Sequence, residues 1–286
     1  MADLEKLIAR GEALLTKLES LMPPAGETDW SALAWRWQHN SGRGYLEPVP
    51  YPHQIKLDDI HNVSEQKAEV VRNTEQFVRG FTANNVLLTG ARGTGKSSLV
   101  KALLSRFSKD GLRVVEVDKH DLTDLPKITA LLRPRSERFI VFCDDLSFES
   151  GEPGYKALKV VLDGSIATTS DNILVYATSN RRHLMPEYMA ENLDTRYVSD
   201  EIRPAETVEE KVSLSDRFGI WLSFYPFDQG EYLVIAEQWL RHYGINKFDD
   251  KVRGAALQWA LTRGSRSGRS AHQFARDYAG RQRLKA

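Results

Sequence analysis

The stretch NNVLLTGARGTGKSS, residues 84–98, constrains the fold more than any other part of the chain. An apolar run, NVLLT, leads directly into Gly90-x4-Gly95-Lys96-Ser97, and SSLVKALLSRF follows with apolar residues at helical spacing. A strand that passes a glycine-rich loop to a helix makes a phosphate cradle. The glycines let backbone approach phosphate oxygens, the helix N-terminus adds partial positive charge, the lysine reaches the terminal phosphates and the next hydroxyl can ligate magnesium. Gly90, Ala91, Arg92, Gly93, Thr94, Gly95, Lys96, Ser97 and Ser98 are the candidate nucleotide-binding residues, with Ser97 also a candidate metal ligand.

From about residue 53 strands alternate with helices, the pattern of a mostly parallel sheet covered on both faces. NVLLT (85–89), RVVEVD (113–118), RFIVFCD (138–144), NILVYATS (172–179) and IWLSFY (220–225) read as strands. SSLVKALLSRF (97–107) and YKALKVVLDGSIA (155–167) read as helices between them. After Pro226 the strands stop, and EYLVIAEQWLRHYG, DDKVRGAALQWALTRG and SGRSAHQFARDYAGRQ predict three helices. Upstream, Leu4, Leu7, Ile8, Leu14, Leu15, Leu18, Leu21 and Met22 predict an amphipathic helix ended by Pro23-Pro24. Trp30, Trp35 and Trp37 read as core anchors, with an exposed docking patch as the alternative. SGRGYLEPVPYPH, rich in Gly and Pro, reads as a linker or draped arm. The expected division is an N-terminal helical extension and linker (1–52), an α/β nucleotide-binding domain (53–226) and a helical lid (227–286).

The strand RFIVFCDD ends in Asp144, whose carboxylate can hold Mg²⁺ through water. Asp145 then stands where an attacking water needs a carboxylate to orient it and accept its proton, with Glu149 as the alternative base. The next strand ends in Thr178-Ser179-Asn180, and an amide at Asn180 can bond both a terminal phosphate and the attacking water. Arg217, in SLSDRFGIWLSF, follows a predicted helix opened by the Thr207-x-x-Glu210 capping box. It can pair with Asp216, or project as an arginine finger toward a neighbouring subunit's phosphates. One of Arg266 and Arg269, in GSRSGRSAHQF, can fold back from a helix N-terminus over the phosphates of its own subunit.

In this order the features resemble the AAA+ ATPase superfamily: Gly90 to Ser97 matches its Walker A, Phe139 to Asp145 its Walker B, Asn180 its sensor 1, Arg217 its arginine finger and Arg269 its sensor 2. LSDRFGI and GRSAHQFARDYA are similar to the bacterial Holliday-junction branch-migration motor. The middle of the chain, from ANNVLLTGARGTGKSSLVKALL through FCDDLSFE and ATSNRRHL to EEKVSLSDRFG, resembles a bacterial group of predicted AAA+ ATPases described as a domain of unknown function. The resemblance implies an α/β P-loop NTPase whose five-stranded parallel sheet runs in the order 5-1-4-3-2, with a C-terminal helical lid. It also implies ATP and Mg²⁺ as cofactors, adenine near Ile60 to Val63, and a ring, commonly a hexamer, in which the finger acts on a neighbour. The N-terminal 1–52 segment would meet an unknown protein partner. DKHDLTDLP, after the second strand, lacks the aromatic-hydrophobic-glycine loop of threading unfoldases, although Phe148 and Tyr155 are candidates for a second loop.

Charge balances at 39 Lys/Arg against 39 Asp/Glu, which gives no support to DNA as the target, although a DNA-directed motor or loader stays the main alternative to remodelling or switching of a protein. The charge is uneven: residues 251–286 hold nine Lys/Arg against Asp277 alone, and residues 1–29 hold six acids against three bases. No apolar run reaches the roughly 18 residues of a membrane span, and MADLEKLIAR does not read as a signal peptide. The lone cysteine, Cys143, lies in an apolar strand, and a cytoplasmic protein is expected. Asn246-Lys247-Phe248-Asp249 spells a guanine-specificity motif, but it joins two helices rather than ending a strand. A small-molecule P-loop kinase shares the chemistry, but needs neither Arg217 nor the lid.

Overall fold

The computed structural model describes residues 10–14, 28–40, 42–148, 152–163, 170–181, 196–198, 201–203 and 214–284. Its strands are β1 (Ala34–Asn40), β2 (Arg43–Pro48), β3 (Val86–Gly90), β4 (Leu112–Glu116), β5 (Arg138–Cys143), β6 (Ile173–Ser179), β7 (Arg196–Val198), β8 (Glu201–Arg203) and β9 (Ile220–Phe224). The helices are α1 (Ser64–Val78), α2 (Lys96–Phe107), α3 (Leu125–Leu132), α4 (Pro153–Asp163), α5 (Gln229–His242), α6 (Asp250–Thr262) and α7 (Gly268–Arg283). Strands β7 and β8 form a separate antiparallel pair.

The main sheet has seven strands, ordered β2-β1-β4-β5-β6-β3-β9, so the expected five-stranded parallel sheet is corrected to a wider, mixed one. The five strands read from the sequence form its parallel part, β9-β3-β6-β5-β4. The other two come from a region expected to be helical extension and linker. Strand β1 pairs parallel with β4, Trp35 opposite Val115, and antiparallel with β2, Trp37 opposite Leu46. The cause is burial. Trp35 and Trp37 lie one strand period apart on one face, and both are buried, at 1% and 2% exposure. Trp30, Trp35 and Phe139 form an aromatic group with ring centroids 5.6 to 6.3 Å apart. Gly44 serves this packing, since a Cβ there would lie 2.0 Å from the Trp37 indole. The helix predicted over 4–22 falls largely outside the described residues, as do Glu149 and the Thr207–Glu210 capping box; residues 10–14 are helical.

Alternation along the central strands separates two cores. Val86, Leu88, Ile140, Phe142 and Tyr176 point to one face with α2 and the C-terminal helices α5 to α7, and Leu87, Phe139, Val141, Cys143 and Val175 point to the other with α3 and α4. Phe148 and Tyr155, read as candidates for a second loop, instead join the second core: they are 0% and 8% exposed with rings edge-on at 5.8 Å. No helix among the described residues is long and apolar enough to cross a membrane.

Candidate functional site

Parallel strands place their C-terminal ends on one edge, and the loops that leave β3, β5 and β6 converge there. The loop after β3 is anchored to β9: Ala91 N–H donates to Phe224 O at 3.1 Å. Gly90, with φ +126, passes so close that a Cβ would lie 1.9 Å from the same oxygen, which only glycine permits. Thr94 ties the loop with a bond from Oγ1 to Ala91 O at 2.9 Å.

Lys96 opens α2 and its ammonium turns back into the loop, donating to Gly90 O and Ala91 O at 2.8 Å each and to Asn180 Oδ1 at 3.2 Å. Burial pulls its pKa down to about 8, against the opposing pull of Asp144 and Asp145 and with a smaller contribution from Arg92. Ser97 Oγ donates to Asp144 Oδ1 at 2.6 Å. Thr178 Oγ1 donates to the same oxygen at 2.5 Å and accepts from Asp145 N–H at 3.0 Å. Asp145 has a left-handed backbone, φ +53, which aspartate tolerates better than most residues. Its carboxylate accepts from Asn180 Nδ2 and lies 3.7 Å from the Arg92 guanidinium. The side chains of Lys96, Asn180, Asp145 and Arg92 thus form one connected chain.

A cleft of about 660 Å³ extends from this polar end toward α5 and α7. The phosphate loop from Arg92 to Ser98, with Asp144, Asp145, Thr178 and Asn180, lines one end. Ile60, His61, Ile235, Trp239, His242 and His272 are grouped along the rest of it. Ile60 and His61, in the segment expected near adenine, border the cleft; Ile60 and Val63 are both buried in the first core, and Val63 does not line the cleft. His272 shares a 2.7 Å bond with the Tyr243 hydroxyl, and its ring meets Trp239 edge-on at 4.4 Å. Burial lowers the pKa of both His61 and His272.

The start of α7 touches the glycine-rich loop directly. Ser267 caps α7 by accepting from Ser270 N–H at 3.2 Å, and Gly268 N–H donates to Gly93 O at 2.8 Å. This start of α7 separates the two candidate arginines: Arg269 lines the cleft, while Arg266 lines a different groove with Ala91, Arg92 and Leu261. Arg217 lies before β9, at the opposite end of the sheet from the phosphate loop, and is not among the cleft residues. Its Nε donates to Asp163 at the end of α4 rather than pairing with Asp216. Asp249, of the guanine-like motif, caps α6 by accepting from Val252 N–H at 3.1 Å.

Sequence reasoning gave the end of β6 to Asn180 and passed over Thr178. Its signal is the polar run Thr178-Ser179-Asn180 that closes the strand; the register that makes Asp144 and Thr178 neighbours, with Cys143 opposite Ala177, comes from the folded sheet. Trp239, His242 and His272 carried no such signal, because helical periodicity does not tell which face meets a distant loop. Ser97 and Asp144 supply two hard oxygens 2.6 Å apart, a donor set that suits Mg²⁺ completed by phosphate and water. No cluster of three or more His, Cys, Asp or Glu suited to a metal occurs among the described residues.

The glycine-rich loop after β3, the acidic end of β5, the polar end of β6 and the C-terminal helices α5 to α7 fit an AAA+ P-loop fold. Residues 30–282 match the family model described as "Protein of unknown function (DUF815)", and the chain belongs to that family. The replication initiator DnaA, solved with AMPPCP and single-stranded DNA, shares the fold at TM-score 0.50 and 18% identity over 81% of this chain and 68% of that one. The FIGL-1 AAA domain in complex with ADP aligns at TM-score 0.49 and 17% identity, covering 79% and 73% of the two chains. The Thermotoga maritima RuvB Holliday junction branch migration motor aligns at TM-score 0.47 and 18% identity over 78% of this chain, which spans 63% of that motor's length. No curated protein matches the sequence.

Proposed function

We propose that the protein binds ATP in the cleft and hydrolyses it slowly, in a ring whose nucleotide state remodels or switches a macromolecular partner. The observation that carries this reading is the Asn180 amide, which accepts from Lys96 and donates to Asp145, linking the phosphate-binding cation to the acid best placed to act on water. Lys96 and the loop backbone bind the phosphates, and Arg269 reaches them from the lid. Ser97 and Asp144 would hold Mg²⁺, which when bound neutralises phosphate charge. Asp145 accepts the proton of the attacking water while Asn180 orients it. An aspartate is one methylene shorter than a glutamate, and general-base catalysis depends on reach within about 2.6 to 3.2 Å; slow turnover follows. Residues 227–286 act as the lid, bonded to the loop through Gly268 and Gly93.

Arg217 serves a neighbouring subunit. Its position at the far end of the sheet leaves it no part in its own cleft. Phosphate release measured against protein concentration tests the arrangement. Specific activity should rise with concentration in the parent and in Asp163→Ala, which keeps the arginine, and should be lost in Arg217→Ala. A rate independent of concentration and untouched by Arg217→Ala would sink the ring reading.

A further inference from the structure

Residues 251–284 carry eight Lys/Arg, seven of them arginine, against the single acid Asp277, in a chain whose 39 bases balance 39 acids. The rest of the chain is therefore net acidic, and positive charge is gathered at the lid. The arginines of helix α7 line two different openings along its length. Arg269 in its first turn lines the nucleotide cleft. Arg276 and Arg281, further along, join Arg263 from just after α6 around a shallow outer groove of about 520 Å³, which also includes Trp259, Gln273 and Gly280. The Arg263 guanidinium lies 3.7 Å over the Trp259 ring, a stack that fixes its plane and leaves its N–H edge for an acceptor. Asp277 engages Arg281 at 2.9 Å, which leaves the groove net positive.

Gly280 is an independent observation. It lies within the 16-residue helix α7, where glycine weakens a helix relative to alanine. It does not have a positive φ, and a Cβ there would meet nothing within 4 Å, so neither backbone nor internal packing requires it. What glycine supplies is bare backbone beside Arg276 and Arg281, open to close approach.

We propose that this outer face of the lid binds the sugar-phosphate backbone of a nucleic acid, with Arg263, Arg276 and Arg281 on its phosphates and Gly280 giving it room. Arginines rather than lysines favour phosphate, whose oxygens accept the paired N–H groups of a guanidinium. The other end of the same helix is bonded to the phosphate loop through Gly268 and Gly93, so the two sites act on one rigid element. That coupling rests on the ATPase reading; the binding itself does not.

The test is fluorescence anisotropy of the full chain with a labelled single-stranded DNA of about 20 nucleotides, without nucleotide, over a salt series. Affinity should fall with salt, and Arg263→Ala and Arg276→Ala should each weaken binding about 3- to 10-fold and reduce the salt slope by about one. Gly280→Ala should raise the thermal midpoint and still weaken DNA binding about threefold or more, two opposite changes that a purely structural role would not produce. Binding of a fluorescent ATP analogue should be unaffected by all three substitutions. The proposal is overturned if the triple alanine variant of the arginines binds DNA as well as the parent, or if Gly280→Ala leaves affinity intact. It is also overturned if polyglutamate displaces DNA at equal charge concentration, which would make the groove a site for acidic protein segments. A parent that binds DNA but no ATP analogue would count against the ATPase reading alone.

Discussion

Ser97 Oγ donates to Asp144 Oδ1 at 2.6 Å, joining the first turn of α2 to the end of β5, while Thr178 holds the same oxygen from β6. Three separate elements therefore fix one carboxylate. Ser97→Ala should raise the Mg²⁺ concentration needed for half-maximal ATP binding by about tenfold or more. Thr178→Val, which keeps the shape and removes the donor, should give a smaller rise in the same direction. Titration of nucleotide fluorescence with Mg²⁺ measures both.

Lys96 titrates near pH 8 because burial disfavours its charge. A terminal phosphate beside the ammonium raises that value, so ATP binding takes up a proton wherever free Lys96 is neutral. Affinity should therefore be level from about pH 6.5 to 7.5 and fall as pH rises above about 8, by at most about tenfold per unit. Lys96→Arg stays charged throughout and should lose this slope, whatever its affinity. His61 and His272 do not obscure the window, since burial lowers both. Calorimetry across this range gives the measurement.

Trp35 and Trp37 carry the β1–β2 hairpin into the second core. Trp35→Ala should cost about 3 to 5 kcal/mol in chemical denaturation. Deleting residues 1–40 removes β1 and should yield insoluble or strongly destabilised protein, rather than an intact ATPase that has lost a partner.

Much of this molecule was legible in the sequence because its parallel strands are unbroken apolar runs between breakers, and because the phosphate loop and the ends of β5 and β6 carry their chemistry next to those strands. What escaped depended on contacts between distant segments. WSALAWRWQHN mixes tryptophan with charge, and SGRGYLEPVPYPH looks like a linker until Gly44 is seen making room for Trp37. Phe148 and Tyr155 looked free to line a second loop because local pattern does not reveal that they meet each other in the core. Arg217 was expected either to pair with Asp216 or to project as a finger toward a neighbouring subunit, and Asp163, to which it donates, lies 54 residues away in sequence.

Asp145, held by Asn180 and near Arg92, is the residue on which hydrolysis turns in this account. The most direct measurement is steady-state phosphate release from Mg-ATP by the parent and Asp145→Asn, with ATP binding followed on both. The parent should release phosphate slowly but above Lys96→Ala, and Asp145→Asn should keep ATP binding while losing about 10²-fold or more in turnover. Full turnover in Asp145→Asn, or a parent no faster than Lys96→Ala, would contradict it.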